Sequence, residues 1–353
     1  MSSKANHLHF ILFPLMAPGH MIPMIDIAKL LAQQDVAVTI VTTPSNAQRF
    51  GKTINRATES GLRINLLEVH FPSVEAGLPE GCENLDSLPS LSMAINFFMA
   101  LNLFRQEVER TLLTEVNPKP SCIISDMGLP WTNQIAKRFQ IPRIVFHGTC
   151  CFSLLCSYNV LKSNICQSIN TDTEYFVVPG LPDKIEVTKA QILGTTNANS
   201  SSFKEVTEQI REAEETSYGV IVNSFEELEP NYVEEYRKAR GKKVWCIGPV
   251  SLCNVDNLDK AQRGNRSSID QQYCLDWLNS HDPRSVIYAS FGSLSRLSSL
   301  QMMELALGLE ASNKPFIWAF GKEPKSGELD RQAVMPKDSN RSRETFRAEL
   351  KLG

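Results

Sequence analysis

The sequence is narrowed first by what it lacks. Its nine cysteines form no C-x-x-C pair, and it contains no H-E-x-x-H, no G-x-S-x-G and no Asp-x-Asp triplet, so hydrolase and metal-centre readings lose ground. An odd cysteine count without framework spacing also argues against a disulfide-stapled secreted scaffold and for a reducing compartment. Basic charge is scarce: 36 Lys and Arg against 39 Asp and Glu leave a net charge of −3. The one basic run, "RKARGKK" at 237–243, reads as a solvated helix end, and no nucleic-acid partner is expected. Long apolar runs are missing too. The longest, "LSMAINFFMALNLF" at 91–104, is interrupted by Asn96 and Asn102 and is too short to span a bilayer. The N-terminal "MSSKANHLHFILFPL" has no small-residue cleavage site before Pro14 and Pro18, so it reads as a strand. A cytoplasmic protein is expected.

What is present is an α/β rhythm. At 353 residues, 42% hydrophobic and 21% charged, the chain is globular and too long for one ordinary core. Short β-branched runs alternate with segments of helical period, the pattern of βαβ units around a parallel sheet. "HLHFILFP", "VAVTIVTTP", "LRINLLEVHF", "SCIISD", "RIVFHG", "GVIVNSF" and "KVWCIGP" read as strands. "MIPMIDIAKLLAQQ" reads as a helix with Ile25, Ala28, Leu31 and Ala32 on one face, and further helices are expected near 88–115, 130–139 and 149–162. The passage 164–202 reads as loop. Residues 251–268 are polar and aperiodic and read as an interdomain linker. The expected division is therefore a first domain over 1–250, a linker over 251–268 and a second α/β series over 269–353, its tail poorly ordered from about 322.

Three places carry candidate chemistry. His20 lies where the first strand hands over to the first helix, next to Gly19, and ligands of open α/β sheets gather at the carboxyl ends of strands. A neutral imidazole there could take a proton from a hydroxyl, although alone His20 fits a capping or packing residue better. Asp126 ends the strand "SCIISD" and could orient that imidazole, or could equally cap the following helix. In "SFGSLS", Gly292 and Ser293 sit in a strand-to-helix turn that would suit a phosphate, or be an ordinary turn. His7 and His9 read as structural, while His70, His147 and His281 have no evident partner.

Taken together, "PLMAPGHMIPMIDIAKLLA", "IISDMGLPWT", "GVIVNSFEELEP", "VWCIGPV" and "CLDWLNSHDPRSVIYASFGSLSRLSSLQMMELALGLEASNKPFIWA" resemble landmarks of the plant UDP-dependent glycosyltransferases of small molecules, over residues 7 to about 320. The resemblance implies an α/β fold of the GT-B type, with two facing Rossmann-like domains of parallel sheets, the second incomplete. It implies an inverting O-glycosyltransferase taking a UDP-sugar, UDP-glucose by the family's common habit, as co-substrate, with no cofactor and no metal, and a plant secondary metabolite such as a flavonoid, or a hormone, as acceptor. His20 would be the general base and Asp126 its orienting acid. Ser293, Gly292, Gly19 and Thr149 would lie at the donor, Thr149 one position beyond the usual place. Phe13, Met16 and Trp131, with residues near 88–98, would line the acceptor pocket beside His20. No membrane span is implied, and a monomer is expected.

The chain departs from the family's text in one respect. A donor-binding stretch opening Trp-Ala-Pro-Gln and containing His-Cys-Gly-Trp-Asn-Ser is not found in it. A shifted reading frame beginning near 322–334 would explain the tail, since codons allowed for residues 335–340 can spell Ala-Glu-Gly-Phe-Glu in another frame. On this reading activity is expected to be weak or absent and residues after 268 only marginally folded. The alternative is a non-catalytic small-molecule binder or regulatory paralogue that keeps the acceptor pocket. A nicotinamide-dependent oxidoreductase shares the α/β pattern but would need a glycine fingerprint the chain does not have.

Overall fold

The computed structural model describes residues 8–193, 201–263, 270–292 and 297–319. Its residues form two compact units, the first comprising Met1–Asn84 and Leu88–Ala261 and the second Leu85–Ser87 with Gln262–Gly353. In the first unit the order is β1 (His9–Phe13), α1 (Pro18–Gln33), β2 (Ala37–Thr42), α2 (Pro44–Glu59), β3 (Ile64–Glu68) and α3 (Ala94–Glu115). Then follow β4 (Cys122–Asp126), α4 (Thr132–Phe139), β5 (Arg143–His147), α5 (Cys151–Ser163), β6 (Tyr175–Val177), β7 (Glu186–Thr188) and α6 (Lys189–Leu193). The unit closes with α7 (Ser201–Glu215), β8 (Gly219–Val222), α8 (Pro230–Arg240), β9 (Lys243–Cys246) and α9 (Asn257–Ala261).

Seven strands form one sheet in the order β3-β2-β1-β4-β5-β8-β9. Every pairing in it is parallel. Ile11, Leu12, Ile123, Val145, Phe146 and Val220 are fully buried, because helices cover both faces of a parallel sheet and the strands must be apolar on both sides. The chain lays β2 and β3 to one side of β1 and then crosses to put β4, β5, β8 and β9 on the other. That reversal makes the gap between the carboxyl ends of β1 and β4 the topological switch point, where an open α/β sheet leaves a crevice.

Helix α1 is more enclosed than a one-face pattern predicts. Besides Met21, Met24, Ile25, Ile27 and Ala28 it buries Asp26 and Lys29. The cover comes from residues 250–261, the first part of the stretch that composition marks as a linker. Lys29 Nζ donates to Asn254 Oδ1 at 2.9 Å, and Asn254 Nδ2 donates to Asp26 Oδ1 at 2.8 Å. Lys29 also pairs with Asp259, which accepts from Arg56 Nε at 2.9 Å. Polar residues that read as solvated are here pinned by a buried network, which is how buried charge is tolerated. The second difference lies in 164–202, where β6 and β7 pair antiparallel and α6 follows, and beyond it α7, which the loop-like reading of "TTNANSSS" hides.

The second unit holds α10 (Gln271–Asn279), β10 (Ile287–Ser290), α11 (Ser299–Ala311) and β11 (Phe316–Ala319). Asp270 caps α10 through the Tyr273 amide at 3.0 Å, and Ser298 and Gln301 form a capping box at α11. Strands β10 and β11 pair in parallel, Ile287 opposite Phe316 and Ser290 opposite Ala319. The tail from about 322, expected to be poorly ordered, lies outside the described residues. Among the described residues no helix is long and apolar enough to cross a membrane.

Candidate active site

Strand β1 ends at Phe13, and α1 opens at Pro18 with its fixed φ suiting the first turn. The helix start has no side-chain cap, and Ala17 supplies only its carbonyl to the amides of His20 and Met21 at 3.0 and 2.9 Å. His20 is therefore the third residue of the helix, with its imidazole free to reach sideways. In the register Phe13 lies opposite Ser125, so Asp126 projects from the adjacent strand one residue further on.

His20 Nδ1 and Asp126 Oδ2 are 2.6 Å apart. Asp126 is fully buried, whereas the His20 side chain keeps 35% of its surface open. The second carboxylate oxygen, Oδ1, accepts the Gly128 amide at 2.9 Å, so the group is held from two sides and does not cap α4, which starts only at Thr132. A carboxylate acceptor places the proton of neutral His20 on Nδ1, which leaves the Nε2 lone pair to act as a base. Burial pulls the imidazolium down, but the hydrogen bond and the charge of Asp126 outweigh it and hold His20 above the ordinary 6.5. The arrangement can accept a proton on Nε2 and stabilise the resulting cation.

The other expected site residues fall into three groups. Gly19 lies in the first turn of α1, with its carbonyl 3.7 Å from the place a Cβ on Gly148 would occupy, so the end of β5 closes on the same edge. Gly148 and Thr149 are exposed there, just before α5. Phe13 and Met16 are 1% exposed and Trp131 is 6% exposed, which puts them in packed aromatic and apolar surroundings. Trp131 meets Phe13 edge-on at 5.7 Å and Phe104 at 6.4 Å, and Phe104 continues to Phe71 at 5.6 Å. The Trp131 indole N–H is buried with no hydrogen-bond partner among the described residues. In the second unit Gly292 follows β10 with φ +80°, a conformation that favours glycine, while Ser293 lies outside the described residues.

Several partners are invisible in sequence. His147 Nε2 lies 3.1 Å from Glu214 Oε2, contributed by α7. Burial raises Glu214, but the His147 hydrogen bond and the charges of His147, Arg240 and Arg143 prevail and lower it. His9 spans Pro118 O at 2.7 Å and Thr39 Oγ1 at 2.9 Å, and His281 Nδ1 reaches Trp277 O at 2.8 Å. In "NSFEELEP" the buried Glu229 accepts the Cys151 and Phe152 amides at 2.8 and 2.7 Å and so caps α5, which begins two residues past Thr149. The spacing of that motif carries the signal, although its target can be seen only in three dimensions. Among the described residues no group of three or more His, Cys, Asp or Glu side chains is arranged to hold a metal ion.

No family model matches the chain. Individual relatives do. UDP-glycosyltransferase 73C6 of Arabidopsis thaliana is 54% identical over 324 residues, covering 91% of this chain and 65% of its own length. UDP-glycosyltransferase 73C25 of Barbarea vulgaris is 52% identical over 335 residues, covering 93% of this chain and 67% of its own length. The chain thus spans about two thirds of the length of these relatives. Among solved structures, Glycyrrhiza uralensis UGT73P12 complexed with glycyrrhetinic acid 3-O-monoglucuronide superposes with a TM-score of 0.80 at 34% identity, over 92% of this chain and 64% of that one. Arabidopsis thaliana UGT89C1 complexed with UDP-L-rhamnose gives a TM-score of 0.69 at 26% identity, over 98% of this chain and 70% of that one. The switch-point sheet is accordingly that of an α/β fold of the GT-B type, and by its sequence likeness to these relatives the chain belongs to the plant UDP-glycosyltransferase family.

Proposed function

We propose that the protein is a UDP-sugar-dependent, inverting O-glycosyltransferase that moves a hexose, glucose being the first choice, to a hydroxyl of a plant secondary metabolite such as a flavonoid. One observation carries this reading: an imidazole fixed at 2.6 Å on a buried carboxylate at the sheet's switch point, with its second nitrogen bonded to none of the described residues. His20 Nε2 takes the acceptor's hydroxyl proton as the oxygen attacks the anomeric carbon. The bond from that carbon to the β-phosphate oxygen breaks, UDP departs with the electron pair, and the configuration at the carbon inverts. Asp126 holds the tautomer and stabilises the imidazolium that forms.

Phe13, Met16 and Trp131 would form the apolar floor against which an aromatic acceptor packs. Gly19 and Thr149 at the switch point, and Gly292 and Ser293 after β10, are the positions proposed for the donor. UDP-sugar serves as co-substrate, with no metal in the step. None of the nine cysteines is joined in a disulfide, which supports a cytoplasmic location, and a monomer suffices for the chemistry.

The test is to incubate the purified chain with UDP-glucose and a flavonol panel and compare it with His20→Ala. A general base is worth about 10²- to 10⁴-fold in rate, and the variant should lose that much UDP release. Equal rates in the two proteins would refute the assignment. Saturable flavonol binding with no turnover in either would favour a non-catalytic binder instead.

A further inference from the structure

The turn that presents Asp126 is tied to a buried cation. Arg143, the first residue of β5, is 3% exposed, yet no carboxylate among the described residues salt-bridges it. Its guanidinium donates from Nε to Thr132 Oγ1 at 2.8 Å, from Nη1 to Ala213 O at 3.1 Å and from Nη2 to Leu129 O at 3.4 Å. Thr132 Oγ1 lies 2.8 Å from Ser125 Oγ, and Ser125 Oγ lies 3.1 Å from the Asp126 carbonyl. Thr132 has a single hydroxyl proton, and it also lies 2.7 Å from Leu129 O. With the Thr132 hydroxyl donating to Ser125, the donors Arg143, Thr132 and Ser125 form one unbroken series that ends on the Asp126 carbonyl. Ser125, Asp126 and Thr132 are all fully buried, where a chain headed by a cation is polarised along its length.

A buried guanidinium is costly, and an apolar residue could fill the same volume. Resting on the reading of His20 and Asp126 given above, we propose that Arg143 is a positioning residue for that pair, acting through Thr132 and Ser125. The series fixes both sides of the turn from Asp126 to Thr132, so the carboxylate meets His20 Nδ1 at one distance and in one orientation. The charged groups facing Arg143 are Glu214 of α7 and Asp126 of β4, and Glu214 in turn also faces His147 and Arg240. The charged group facing His20 is Asp126.

The experiment titrates the His20 imidazole by NMR in the full chain, without substrate, and measures Tm alongside. Thr132→Val and Ser125→Ala each cut the series without changing charge. Each is expected to lower the His20 midpoint toward that of Asp126→Asn by about half a unit, roughly threefold in the proton-binding constant. Thr132→Ser keeps the hydroxyl and should stay at the parent midpoint. A merely structural role would lower Tm in the first two variants and leave His20 unmoved, which would overturn the proposal. Ser125→Ala stands in if Thr132→Val does not fold. Should Asp126→Asn itself leave His20 unmoved, the base-and-acid reading falls with it; should Asp126→Asn move His20 while the other two do not, only the role of Arg143 falls.

Discussion

The two units solve the same problem, burying a parallel sheet, to very different extents. In the first, seven strands lie side by side and every residue of β4 and β8 is buried. In the second, β10 alternates between half-buried and exposed, with Tyr288 66% exposed, and its small core gathers Cys274, Trp277, Leu278 and Val286 around Ile317. The difference teaches where rigidity resides: a base that must hold one geometry stands on the unit whose strands are covered on both faces. Local opening free energy follows burial and contact density, so the two sheets should differ most in how often they open.

The largest expected effect is in amide exchange. Amides of β1, β4 and β5 should exchange through global unfolding and those of β10 through local opening, a separation of about 10³-fold or more in rate. Equal protection in the two sheets would erase the comparison. The network around α1 offers the next sharpest probe. Lys29→Met removes a cation held between Asn254 and Asp259 and should destabilise the first unit by about 3 kcal/mol in urea unfolding, with protection lost across 250–261 and little change at β10. Gly248→Ala acts by crowding, because a Cβ there would stand 2.7 Å from the Asn223 backbone carbon. About 2 kcal/mol is expected from the same measurement. Retained stability in either variant would show that residues 246–261 do not brace the first unit.

The smallest effect is one of pH. His20 is raised in the folded chain, so its pairing with Asp126 contributes stability fully below the unfolded value of about 6.5, and that contribution fades as pH rises through the folded value. The Tm deficit of Asp126→Asn should therefore be larger at pH 5.5 than at pH 8.5. A deficit that grows with pH would reverse the sign and deny that Asp126 stabilises the imidazolium.

Much of this was legible in the residues. The strands of the first sheet announce themselves because double-sided burial leaves apolar β-branched runs such as "CIISD" and "RIVFH". His20 and Asp126 could be paired on paper because each follows or ends a strand, and parallel neighbours bring such ends together. What stayed hidden is long-range polar pairing. Asn254 and Asp259 look like linker residues until Lys29 and Asp26 are placed beneath them. Glu214 belongs to a polar helix masked by the Asn- and Ser-rich text before it, so His147 had no visible partner. Arg143 is only the first residue of the run "RIVFHG", and its connection through Thr132 and Ser125 exists only once β4, α4 and β5 are packed. The residues expected to meet the acceptor, Phe13, Met16 and Trp131, share the spacing of ordinary core, and spacing alone does not separate the two uses.

The pH dependence of glycosyl transfer tests the central claim most directly. With His20 as the base, the rate of UDP release should climb with a midpoint above 6.5, and Asp126→Asn should both lower the plateau and move that midpoint down. A rate that is flat across this range, or a midpoint that Asp126→Asn leaves in place, would contradict the assignment of proton transfer to His20.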